Sequence, residues 1–134
     1  MQAEMKQVHD FLKAVGTYYI ATVDGEQARV RPFGTIHEFE GKLYFQTGLV
    51  KDCAKQMLAN PNVEICACKG GEWIRVAGKA VYDERIEPQK SLLDDYPMLQ
   101  ARYAPGDGNN AVFYLEDVTA TFYSFTAEPK SVKF

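Results

Sequence analysis

The sequence lacks the features that mark several large classes of protein. No apolar run approaches the roughly 20 residues that a membrane-spanning helix needs. The N-terminal stretch MQAEMKQVHDFLKAV also lacks the continuous apolar core of a signal peptide. With a net charge of −3, the chain has no excess of lysine and arginine for nucleic-acid phosphates. We therefore expect a cytoplasmic protein that neither spans a membrane nor binds nucleic acid.

Cysteine and histidine are also scarce. The three cysteines, Cys53, Cys66 and Cys68, are odd in number and lack the spacing of a disulfide framework or a zinc knuckle. Because free cysteine behaves as a small hydrophobe, we expect them to be packing residues. The two histidines, His9 and His37, are isolated, and surface or capping roles are expected for both. The sequence therefore predicts no metal site and allows no Ser-His-Asp or Cys-His constellation to be assembled.

Length and periodicity indicate one small domain over residues 1–134. The composition, 46% hydrophobic and 25% charged, is ordinary for a soluble globular protein. Apolar residues at helical spacing predict a helix over residues 3–15 and a short one over 51–59, which Asn60-Pro61 ends. A third helix is predicted to begin at Pro88 and to break before Pro97.

The remaining segments have the pattern of six or seven short strands. Tight-turn signals stand at Asp24-Gly25, Glu40-Gly41 and Gly70-Gly71. The last two strands, AVFYL and VTATFYSF, follow the polar loop APGDGNN, which we interpret as a passive connection or as a gate over a site. Short strands with tight turns and edge helices predict a mainly β fold, an antiparallel β-barrel with peripheral helices.

Basic and aromatic residues fall on common strand faces. Alternation places Arg29, Arg31 and Phe33 together on one strand, and Trp73 with Arg75 on another. For either strand alone, a solvated face with arginine stems along the surface is the simpler interpretation.

The segment TGLVKDCAKQM carries positive charge in an unusual place. A helix N-terminus is electropositive and normally attracts Asp or Glu, yet Lys51 stands in the first turn and Lys55 one turn later. The first amides of this helix have no intrahelical acceptor, and Thr47 adds a hydroxyl nearby. With Arg31, these groups predict a site for a phosphate monoester. A ring attached to that phosphate would be covered by Phe33, Tyr44 and Trp73.

Four stretches carry a family resemblance: RVRP, LYFQTG, KDCAKQMLANPNVEICA and EWIRVAGKA. In this order they resemble the pyridoxamine 5′-phosphate oxidase-like FMN-binding proteins, whose fold is an antiparallel split β-barrel. The similarity covers most of residues 6–127 and is strongest to the small bacterial branch that includes nitroimidazole-resistance-type flavoproteins. It implies FMN as the cofactor and a homodimer with FMN sites at the interface between protomers.

The resemblance also implies which residues hold the cofactor. One strand would run along the flavin, a second strand end and the lysine-bearing helix would surround the phosphate, and a third strand would close the cleft from either protomer. In these positions stand Arg29, Arg31, Pro32, Phe33, Gln46, Thr47, Lys51, Lys55, Gln56, Trp73 and Arg75. Asp52 is interpreted as a helix cap or lysine partner as readily as a cofactor contact. No catalytic side chain is assigned.

Three functions stay open from the sequence. The first is an FMN-dependent oxidoreductase, in which NAD(P)H delivers hydride to the flavin and a small acceptor collects the electrons. The second is a non-catalytic flavin- or haem-binding sensor or storage module. The third is an oligonucleotide-binding barrel that stacks bases on Arg29, Phe33 and Trp73, which the net charge disfavours. Vitamin B6 oxidation is rejected, because the C-terminal SFTAEPKSVKF lacks the arginine and histidine that grip pyridoxal phosphate in the oxidase proper.

Overall fold

The chain folds into one eight-stranded antiparallel sheet with helices packed against it. The computed structural model describes residues 1–134. In chain order its elements are α1 Ala3–Val15, β1 Tyr18–Asp24, β2 Gln27–Phe33, β3 His37–Phe39, β4 Lys42–Gly48, α2 Asp52–Ala59, β5 Asn62–Lys69, β6 Glu72–Asp83, α3 Ile86–Asp95, a 3₁₀ helix Pro97–Ala101, β7 Asn110–Ser124 and β8 Lys130–Lys133. None of the helices has both the length and the apolar content to cross a membrane.

The strand order places the two outermost strands next to each other in sequence. The sheet runs β2-β1-β5-β6-β7-β4-β3, and β8 adds to β7. Only residues 34–36 connect β2 to β3, so the two free edges of the sheet are held close together at this point. We call the gap between these edges, spanned by residues 34–36, the seam.

The core lies inside the curve of the sheet. Alternation along β1 and β5 turns Ile20, Ile65 and their neighbours inward, where they are fully buried. Helix α1 covers this core with an apolar stripe at helical spacing, formed by Met5, Val8 and Leu12. Burial of these apolar faces provides the main driving force for closing the sheet on itself.

Most of the predicted elements are confirmed, and two differ. Helix α3 begins at Ile86, earlier than Pro88. The two predicted C-terminal strands are one continuous strand of 15 residues, β7. The polar pair Glu116-Asp117 interrupts the apolar pattern there, but a bulge in β7, which sets Asp117 and Val118 opposite the single β6 residue Gly78, absorbs the irregularity without ending the strand. The short strand β8 was not predicted, because KSVK has too little apolar alternation.

The cysteines divide between the interior and the surface of the chain. Cys53 is buried, as expected of a packing residue, whereas Cys66 and Cys68 are exposed. The packing prediction is therefore wrong for these two within the chain. Val63 and Ile65 alternate with them along β5 and take the core-facing positions.

Candidate functional site

A cavity of about 280 Å³ opens beside the seam. One wall is the end of β2 with the residues that follow it, the opposite wall is the end of β4 and the start of α2, and the 3₁₀ region forms the third. The lining consists of Arg31, Pro32, Phe33, Gly34, Thr35, Gln46, Thr47, Lys51, Cys53, Tyr96, Met98 and Leu99. Six of the predicted site residues thus meet here, although they come from separate strands and a helix.

Thr35 fixes the position of the seam. The buried Tyr18 hydroxyl donates to the Thr35 carbonyl oxygen at 2.6 Å, and the backbone amide of Gln46 donates to the Thr35 hydroxyl at 2.9 Å. Burial raises the pKa of Tyr18 well above its ordinary value of 10.0, so this hydroxyl stays a donor. The connection between the sheet edges is therefore attached to β1 on one side and to β4 on the other.

Two cations and an open helix end form the polar part of the cavity. The amides of Asp52 and Cys53 stand in the first turn of α2 and have no acceptor inside the helix, and Lys51, the residue before it, supplies no side-chain cap. The Arg31 guanidinium donates to the Thr22 hydroxyl at 2.7 Å and to Gln56 Oε1 at 2.8 Å. Cations beside free helix amides are the groups that bind a phosphate monoester.

The other part of the cavity is apolar. The ring of Phe33 packs edge-on against buried Phe45, with 5.6 Å between ring centroids. Met98 and Leu99 of the 3₁₀ helix face the same space, and Met98 is 75% exposed. An apolar wall next to a phosphate-binding end suits a flat aromatic ligand with an anionic tail.

Arg29 and the residues one turn into α2 border a second, shallower groove. This groove, about 500 Å³ in volume, shares Arg31, Lys51 and Cys53 with the cavity. We call it the basic groove because three cations outnumber two carboxylates in its lining of Asp24, Arg29, Val30, Arg31, Lys51, Asp52, Cys53 and Gln56. Arg29 is paired with Asp24 at 3.0 Å and is half exposed. Lys55 lines neither the cavity nor the basic groove.

Trp73 and Arg75 lie on the opposite face of the sheet from the core. They pair in register with Cys68 and Cys66. Arg75 is bonded to Glu64 at 3.0 Å, and Trp73 stacks on Tyr123 with 5.4 Å between ring centroids. This outer face, which also presents Tyr19, Val30 and Phe125, does not line the cavity of its own chain.

Several residues that line the cavity or hold its lining had no sequence signal. Thr22, which holds Arg31, and Tyr96, Met98 and Leu99 come from elements distant in sequence and belong to no recognisable motif. Tyr44, expected to cover a ligand ring, instead lies buried away from the cavity. Alternation along β4 turns Leu43 and Phe45 into the main core and Tyr44 to the other face, where it joins a second, smaller core cluster and its hydroxyl donates to Asp83 at 2.8 Å.

His37 joins three elements in an arrangement not expected from the sequence. Its Nδ1 lies 2.9 Å from Asp95 Oδ2, and its Nε2 lies 2.7 Å from Ser91 Oγ. The structure thus assembles a Ser-His-Asp connectivity. However, Asp95 also accepts from Lys13 at 2.8 Å, and Ser91 does not line the cavity. The geometry fits a bridge that ties β3 to α3 and α1.

The loop APGDGNN is internally ordered. Asp107 accepts from the backbone amides of Ala104, Asn109 and Asn110 at 2.6–3.0 Å, and these bonds lower its pKa. The Leu49 amide donates to the Asn109 carbonyl at 2.7 Å, which supports the turn before α2. These bonds favour the interpretation of the loop as a connection rather than a gate.

Comparison with known proteins identifies close and distant relatives. Residues 5–121 match the sequence model of pyridoxamine 5′-phosphate oxidase. A NimC/NimA family protein from Clostridium acetobutylicum is 40% identical, with a TM-score of 0.94 over 98% of this chain and 92% of that one. No curated protein matches.

Two further solved structures share the fold alone. A pyridoxamine 5′-phosphate oxidase-related, FMN-binding protein from Nostoc punctiforme is 17% identical, with a TM-score of 0.66 over 100% of this chain and 97% of that one. A heme binding protein from Mycobacterium smegmatis is 12% identical, with a TM-score of 0.76 over 99% of this chain and 59% of that one. The split β-barrel predicted from the sequence is thereby confirmed.

Proposed function

Since the chain belongs to the pyridoxamine 5′-phosphate oxidase family and is 40% identical to a NimC/NimA family protein, we propose that it binds FMN in the cavity at the seam. The observation that carries this proposal is the pairing of Arg31 and Lys51 at an open helix N-terminus with the apolar wall of Phe33 and Leu99. The first group of residues suits a phosphate and the second suits a flat ring.

The cations, backbone amides and aromatic ring of the cavity match the charge and the shape of FMN. Arg31 and Lys51 supply two positive charges to a phosphate that carries close to two negative charges at neutral pH. The amides at the start of α2 add donors that need no side-chain ordering. Phe33, held edge-on by Phe45, offers a rigid surface along which the isoalloxazine can lie.

The proposed activity is an FMN-dependent oxidoreductase. Bound FMN would accept a hydride from NAD(P)H and pass two electrons to a small oxidised acceptor. The chain's own residues would bind, orient and shield the cofactor, and no side chain of the cavity is assigned an acid or base role. A cation or amide donor near the isoalloxazine ring would stabilise the negative charge of its reduced form.

We further propose a homodimer in which a second copy completes the cavity. About 280 Å³ in one chain is slightly below the roughly 300–1,000 Å³ typical of ligand pockets. The outer face exposes apolar side chains that one chain leaves uncovered, including Val30 at 68% and Phe125 at 85%. Covering this face with a partner would bring Trp73 and Arg75 towards the partner's cavity. Sedimentation as a monomer at micromolar concentration would contradict this proposal.

A titration with FMN followed by reduced nicotinamide tests the function. We expect the purified protein to bind FMN with quenching of flavin fluorescence and, in the absence of oxygen, NADH or NADPH to bleach the visible flavin absorbance. Uptake of FMN without bleaching would favour a non-catalytic flavin module. A protein that takes up no FMN would refute the cofactor assignment.

Haem is the alternative ligand that the same titration addresses. No histidine lines the cavity, because His37 is bonded through both ring nitrogens and His9 contacts Asp10 on α1. Histidine is a common axial ligand of haem iron and is absent from the lining. Of the other axial-ligand types that line the cavity, the Tyr96 hydroxyl is bonded to the Ile36 backbone and Cys53 Sγ lies 3.3 Å from the Thr47 hydroxyl, which leaves Met98 and favours flavin. Stoichiometric haem binding with no FMN binding would reverse this preference.

A further inference from the structure

Arg31 is bonded to the protein through one edge of its guanidinium. Nη1 donates to Thr22 Oγ1 at 2.7 Å and to the Ile20 carbonyl at 3.3 Å, while Nη2 donates to Gln56 Oε1 at 2.8 Å. Thr22 in turn donates to Gln56 Oε1 at 2.6 Å. The three side chains form a closed ring of hydrogen bonds that joins β1, β2 and α2.

The chemistry of the three groups fixes their orientation. A guanidinium has five N–H donors and no acceptor, so Gln56 must present its carbonyl oxygen to Arg31. The Thr22 hydroxyl accepts from Arg31 and must therefore use its own hydrogen towards the same oxygen. The Gln56 amide cannot be flipped without placing its donors against the donors of Arg31.

The bonds to the protein leave one pair of donors free. Three of the five N–H groups of Arg31 are used, both on Nη1 and one on Nη2. The remaining two, on Nε and Nη2, point from the same edge of the planar group and have no protein acceptor. Two parallel donors on one edge are the arrangement that binds two oxygens of a phosphate at once.

We propose that Thr22 and Gln56 are positioning residues that present the free edge of Arg31 to the phosphate of the flavin cofactor. This inference rests on the proposed FMN function. Thr22 is 3% exposed and lines neither the cavity nor the basic groove, so its effect on a ligand must pass through Arg31. Ordering the long arginine side chain in advance removes an entropic cost from binding, and this benefit concerns ligands that carry a phosphate.

Paired titrations with FMN and riboflavin test the positioning role. Thr22→Val keeps the shape of the side chain but removes its oxygen, and we expect it to weaken FMN about tenfold while riboflavin changes less than twofold. Thr22→Ser retains the hydroxyl and should restore FMN affinity. Gln56→Met removes the carbonyl acceptor and should act like Thr22→Val, which provides a second variant if one of them folds poorly.

A signal from Arg31 itself gives a readout that needs no flavin. In the wild type, inorganic phosphate should shift the NMR resonance of Arg31 Nε–H, and Thr22→Val should abolish that shift at the same phosphate concentration. If Thr22→Val weakens FMN and riboflavin equally, or weakens neither, the positioning role is overturned while FMN binding by the wild type stands. Failure of the wild type to bind FMN would overturn the proposed function and this inference with it.

Discussion

Replacing Lys51 with alanine should have opposite effects on the empty and the FMN-bound protein. Lys51 stands before α2, makes no ion pair and no side-chain cap, and lines the cavity. Without a ligand, its charge lies next to the positive end of the helix dipole, which costs about 0.3–1 kcal/mol. Lys51→Ala should therefore leave the free energy of unfolding of the ligand-free protein unchanged or raise it by up to that amount.

In the proposed FMN complex, the same side chain would contact the phosphate. A hydrogen bond to a charged group contributes about 1.5–3 kcal/mol, which corresponds to a loss of roughly 10- to 150-fold in FMN affinity for Lys51→Ala. Riboflavin affinity should change less than twofold, because riboflavin has no phosphate. The difference between the two ligands should shrink as salt is added, since part of it is Coulombic.

Lys55→Ala is the matched control. Lys55 is also exposed and has no ion pair, but it lines neither the cavity nor the basic groove. Fluorescence titration should show a loss of FMN affinity of no more than about twofold for this variant, as expected for a screened charge. Equal losses from both lysines, or an equal loss of riboflavin in Lys51→Ala, would refute the assignment of Lys51 as the phosphate contact.

Two further predictions concern stability. Tyr18→Phe leaves the buried Thr35 carbonyl without its donor and should lower the free energy of unfolding by about 1–3 kcal/mol in urea titrations; an unchanged midpoint would contradict the role of Tyr18 at the seam. Burial acts to raise the pKa of Asp95, but bonds from Lys13 and His37 outweigh it and lower that pKa. The stability this adds is present above the ordinary value of 3.8 and is lost as pH falls through the folded-state pKa. Asp95→Asn should therefore make the free energy of unfolding depend less on pH in this acidic range. Parallel plots of the free energy of unfolding against pH for the two proteins would refute the effect.

Local signals predicted the elements that depend on few residues. Asp24-Gly25 and Gly70-Gly71 specified their hairpins, because each turn geometry depends on the residues that form it. Arg31 and Lys51 were predicted as site residues because each stands out within a short segment, one by strand alternation and one by its sign at a helix start. The structure brings both to the cavity.

What could not be predicted depends on contacts between distant segments. Thr22 is an ordinary strand residue in the sequence, and only the pairing of β1 with β2 and the packing of α2 place it against Arg31. His37 and Ser91 are separated by 54 positions, so no spacing rule could join them. Trp73 was predicted to cover a ligand ring from its strand face and from the family resemblance. Whether it reaches a partner's cavity depends on a second chain, which one sequence does not specify.

The shortness of the seam limits how far the two edges of the sheet can move apart. Between Phe33 and His37 the chain takes four steps, each spanning at most about 3.3–3.6 Å, so the two sheet edges can part by no more than roughly 14 Å at that end. Thr35 is also anchored on both sides, which makes this stretch a poor hinge for exchanging strands between copies. We therefore expect a ligand to reach the cavity without any parting of the two sheet edges.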